Sequence, residues 1–76
     1  MYYIQAIVDN IVQYYYYQTN NYNNIEFTTN INLAMKTPIY DTIKIIYNRI
    51  KEKIKEDNLN IENIIIINFD NEEIAL

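Results

Sequence analysis

Between Pro38 and Asp57 the apolar residues fall on one line. Ile39, Ile43, Ile46, Ile50 and Ile54 recur at steps of four, three, four and four, which is the stripe of an amphipathic helix. Tyr40 and Tyr47 flank the stripe. Thr37 suits an N-cap and Pro38 the first helical position. Asp41 lies in the first turn, and Arg49, Lys51, Lys53 and Lys55 in the second half, an order that complements the helix dipole. Asn58 is placed to end the helix in a left-handed conformation. One stripe on one helix needs an apolar surface to cover, and the rest of the chain must supply it.

That surface reads as β-structure. Ile61 to Phe69 is dense in β-branched residues, with Ile64–Ile67 continuous. Simple alternation puts Ile61, Asn63, Ile65, Ile67 and Phe69 on the core face. It leaves Glu62, Ile64, Ile66 and Asn68 on the other face, with Ile64 and Ile66 shown to water. Residues 2–18 admit two readings. Ile4, Ile7, Val8, Ile11, Val12 and Tyr15 fit a helical stripe. The same residues fit strands 2–8 and 11–18 joined by a two-residue turn at Asp9–Asn10. The four successive tyrosines Tyr14–Tyr17 favour the hairpin. Thr19–Asn24 is a polar turn, Ile25–Thr29 a short third strand, and Asn30–Lys36 a turn with Ile31 and Met35 pointing inward. The expected fold is α+β: a small antiparallel sheet in the order β-β-β-α-β, with the helix on one face. With 76 residues it is expected as one domain, 1–76.

Absent residue types exclude most chemistry. The chain has no Cys, His, Ser, Trp or Gly. No disulfide, thiolate, imidazole base or serine nucleophile is available, so Ser–His and Cys–His catalysis is excluded. Glycine-rich phosphate loops are excluded too. The acidic pairs Glu56–Asp57 and Glu72–Glu73 read as a solvated helix end and tail. Asp70, Asn71 and Glu73 lack the glycine and the terminal glutamate spacing of a calcium loop. No enzyme activity, catalytic residue, metal or cofactor is expected.

Seventeen Ile, thirteen Asn and nine Tyr share A/T-rich codons, so the bias is first a trace of base composition. Charge is more informative. The net charge is −4, which argues against general, direct nucleic-acid affinity. All six bases fall between Lys36 and Lys55, where Asp41 and Glu52 leave a balance of +4. Residues 56–76 carry six acids and no base. No segment is long and apolar enough to span a bilayer, and the first residues lack a basic signal region, so a cytoplasmic protein with no membrane partner is expected.

Contact candidates follow. Tyr14, Tyr15, Tyr16 and Tyr17 offer large area with polar tips, and strand alternation sends one pair inward and one outward. Ile45 lies off the helical stripe, and Asp70, Glu72 and Glu73 form an acidic turn. Lys44, Lys51 and Lys55 line up with Asn48 along one helix flank, an alternative site for nucleic acid.

The stretch Ile25–Asn68 resembles small accessory proteins of bacteriophages. The strand IEFTT, the pair Ile31 and Ala34, the helix TPIYDTIKIIYNRIKEKIKEDN and the strand IENIIIINF carry the likeness. Phage inhibitors of host defence, anti-CRISPR proteins among them, are of this style. The resemblance implies a non-enzymatic viral inhibitor that occupies a surface of a larger host protein or ribonucleoprotein complex. The alternatives are a small nucleic-acid-binding regulator, or an oligomer that sequesters a small nucleotide signal. A thin core and a half-covered sheet also lead us to expect a homodimer.

Overall fold

The structure, a computed structural model, describes residues 1–18 and 25–68. Its elements are β1 (Tyr2–Val8), β2 (Ile11–Gln18), β3 (Ile25–Thr28), a short 3-10 turn (Ile31–Leu33), α1 (Tyr40–Asp57) and β4 (Ile61–Asn68). The four strands form one antiparallel sheet in the order β3-β2-β1-β4. This is the α+β arrangement expected from the sequence.

The first eighteen residues form the hairpin. Asp9 and Asn10 both have positive φ, 52° and 67°, as a type I′ turn requires. Asp and Asn are the non-glycine residues that tolerate this conformation best. The two-residue turn fixes the register Val8↔Ile11, Ile7↔Val12, Ala6↔Gln13 and Gln5↔Tyr14. Beyond Gln5 the two strands part, and the chain before the helix joins them. Met35 N donates to Tyr15 O (3.0 Å), and Tyr2 and Thr37 exchange two backbone hydrogen bonds (2.7 and 3.0 Å).

That bridge changes the start of the helix. Thr37 does not cap it: its Oγ1 accepts from Ile39 N, and the helix begins at Tyr40 with Ile39 as an N-cap lacking a side-chain bond. Thr37 is buried against β1, so the chain stays extended for two residues longer than expected. The other end is as expected. Asn58 is left-handed (φ 53°, ψ 47°), and the amides of Asn58 and Leu59 both donate to Ile54 O.

The core lies between α1 and one sheet face. Ile4, Tyr15, Ile43, Ile50 and Ile66 form its centre, with Ile46, Tyr47, Ile54, Ile64, Met35 and Phe27 packed around it. Tyr15 meets Phe27 edge-on across β2 and β3 (6.2 Å). Met35 points inward as expected, whereas Ile31 is exposed, because the 3-10 turn directs it to solvent.

Ile61 and Glu62 of β4 fall on the expected faces, but beyond Asn63 the faces reverse the expectation. Ile61 pairs with Val8 and Ile66 with Ile4, both on the helix side, while Ile65 pairs with Gln5 and Ile67 with Tyr3 on the other. Simple alternation cannot place Ile61 and Ile66 on one face. A bulge between the Ile7 and Gln5 pairings inserts one residue into β4, and Asn63 sits there with φ 51°. The inserted residue shifts the phase, so Ile64 and Ile66 turn inward, and Ile65 and Ile67 outward.

Candidate protein-interaction surface

α1 is the one element of more than three residues outside the sheet among the described residues, so only one sheet face has a helical layer. Strand pairing places Tyr3, Gln5 and Ile7 of β1 on the other face, with Val12 and Tyr14 of β2, Thr28 of β3, and Glu62, Ile65 and Ile67 of β4. Tyr3 and Tyr14 meet edge-on with centroids 5.9 Å apart. Tyr3 is 3% exposed and Ile67 6%, while Val12 is 47% exposed. Burial raises the Tyr3 phenol pKa above its ordinary value, and the neighbouring Tyr14 adds to the rise. The charged residues that the pairing sends to this face, Glu26 and Glu62, are both acidic.

The tyrosine run divides between environments. Tyr15 is 5% exposed and belongs to the core, so it is not open to a partner; alternation turns it toward the helix. Tyr14 is half-buried on the open face. Tyr16 is exposed, within the bulge where β2 shifts its register against β3. The side chain of Tyr17, and Asp70, Glu72 and Glu73, lie outside the described residues. Ile45 is 60% exposed on the outer side of α1, remote from the core stripe.

The lysine strip lies along one flank of α1. Lys44, Lys51 and Lys55 are exposed, and Lys51 Nζ sits 5.4 Å from the centre of the Tyr47 ring. Lys53 lies on the opposite flank, paired with Asp57 (2.8 Å). Lys51 and Lys55 border an open groove of about 320 Å³ with Tyr47, Ile54, Ile61, Asn63 and Ile64. A second open groove, of about 490 Å³, lies among Val8, Asp9, Gln13, Ile25, Glu26, Phe27 and Leu59–Ile61. There Asn60 Nδ2 donates to Asp9 Oδ1 (3.3 Å). Among the described residues no three acidic side chains converge as metal ligands, and no helix is long and apolar enough to cross a membrane.

Sequence reasoning missed Tyr3, Val12 and Ile65 on the open face. The hairpin register was the available signal, since a two-residue turn at Asp9–Asn10 puts Gln5 opposite Tyr14 and Ile7 opposite Val12. The groove beside β4 had no such signal, because it depends on the bulge at Asn63.

No family model, curated protein sequence or solved structure matches the chain.

Proposed function

We propose that this protein is a non-enzymatic binding module that docks on another protein through the open face of its sheet. One observation carries the reading: a face on which Ile7, Val12, Tyr14 and Ile65 stay half-buried or exposed has no helical layer among the described residues. Aromatic and aliphatic side chains of this kind supply contact area with little ordering cost. Glu26 and Glu62 on the same face favour a partner whose apolar centre has a basic rim. With the resemblance to phage anti-defence proteins, this supports an inhibitor that covers a working surface of a larger host protein or ribonucleoprotein. The thin core of a 76-residue chain also favours a second copy as the occupant, and the test separates the two.

A photo-crosslinking residue placed at Val12 and, separately, at Ile45 tests this. In nuclease-treated host lysate, the Val12 position is expected to trap one host protein and the Ile45 position none. The purified partner should then lose about tenfold in affinity for a Tyr14→Ala variant that keeps its melting temperature. Crosslinks only between copies would replace the reading with a homodimer. Crosslinks from Ile45 alone would remove the open face from the interface. Capture of nucleic acid alone, lost at high salt, would move the lysine strip to first place.

A further inference from the structure

β4 is an edge strand. It pairs with β1 on one side, and among the described residues no strand pairs with it on the other. A free edge presents backbone donors and acceptors that an extended chain can use. The groove of about 320 Å³ runs beside Ile61–Ile64 of this strand, with Ile54, Ile61 and Ile64 as apolar lining and Lys51 and Lys55 at its border. Neither lysine is held in an ion pair among the described residues. Lys44 and Asn48 extend the same flank, and the nearest acids of α1, Asp41 and Glu52, lie on its outer side.

We propose that this edge and groove bind a short, extended acidic peptide segment, which adds to β4 as a fifth strand. The spacing matches. Lys51 and Lys55 are one helical turn apart, about 6 Å along the axis. Alternate residues of an extended strand repeat every ~6.5 Å. Glutamates at alternate positions lay their stems over Ile54, Ile61 and Ile64 and bring their carboxylates to the two ammonium groups. A second copy of β4 fits poorly, because antiparallel self-pairing sets one lysine-bearing flank beside another. A nucleic acid would meet the lysines but has no backbone that repeats a strand's alternating donors and acceptors. This site is separate from the open sheet face and stands or falls independently of it.

The test uses a fluorescein-labelled peptide of alternating Glu and Val, followed by anisotropy with the intact protein. Its comparison probes are the same peptide with Lys for Glu, a backbone N-methylated version, and a labelled oligo-dT strand. The acidic peptide is expected to bind and to slow amide exchange within Ile61–Ile64. The Lys-for-Glu and N-methylated probes should not bind. The double variant Lys51→Glu/Lys55→Glu, altered only at exposed positions, should weaken acidic-peptide binding by about tenfold or more. Failure of the acidic peptide to bind overturns the proposal. Equal binding of the N-methylated peptide overturns strand addition, and tighter binding of oligo-dT overturns the choice of a peptide.

Discussion

Ile66 and Ile67 are neighbours on one strand, and both are nearly removed from water, yet for different reasons. Ile66 is 0% exposed beneath α1, packed with Ile4, Ile43 and Ile50. Ile67 is paired with Tyr3 on the face that the helix does not cover. The helix-covered face is shielded by a whole element whose stripe matches it. On the open face no helix lies over the strands among the described residues, and exposure rises from Tyr3 and Ile67 to Val12. A charge or a cavity should therefore disrupt the first face throughout. The second should tolerate change at its margin, which is what a docking surface requires.

The strongest way to break this comparison is a charge on either side of the strand. Ile66→Asp should leave no cooperatively folded protein, because it buries an unpaired carboxylate where no water reaches. Ile65→Asp, half-buried on the open face, should retain a cooperative transition with a loss of about 1 kcal/mol. Thermal melts followed by far-UV circular dichroism compare them. If the Ile65 variant failed to fold while the Ile66 variant melted like wild type, the assignment of faces would be inverted.

A smaller effect sharpens why the faces fall as they do. Asn63 holds positive φ at the bulge that sets the phase of Ile64–Ile67. Asn63→Val should cost about 1–2 kcal/mol, since a β-branched residue is strained there. Asn63→Gly should be close to neutral. A loss of about 1 kcal/mol lowers the melting temperature of a domain this size by roughly 4–8 °C. Equal melting temperatures for the two variants would mean that Asn63 does not hold the bulge in solution.

The smallest effect appears only in alkali. The Tyr3 pKa is raised in the folded state, first by burial and then by Tyr14, so the native protein holds the Tyr3 proton to higher pH than the unfolded chain does. The stability tied to that proton is complete below the unfolded tyrosine pKa of about 10 and is lost as pH rises through the raised folded value. Tyr3→Phe should flatten the fall of melting temperature above about pH 10 relative to wild type. An unchanged slope would place the alkaline sensitivity elsewhere.

Local patterns carried most of the fold. The stripe Ile43, Ile46, Ile50 and Ile54 specifies a helix and its buried side, because 3.6-residue periodicity leaves no other way to shield it. Asp9–Asn10 specifies the hairpin and its register, because few residue pairs accept positive φ twice. Asn58 ends the helix for the same reason. What tertiary structure alone decided was phase and use. Thr37 was taken from the helix cap by its bridge to Tyr2, a partner thirty-five positions away in the chain. Tyr15 and Tyr14 are the same residue type in one run, and only the position of the helix makes one core and the other surface. Four consecutive isoleucines give no preference for either face, so a single inserted residue at Asn63, accommodated by pairing with β1, selected Ile64 and Ile66 for the core. The groove beside β4 follows from that choice, since it needs Ile61 and Ile64 on the helix side at once.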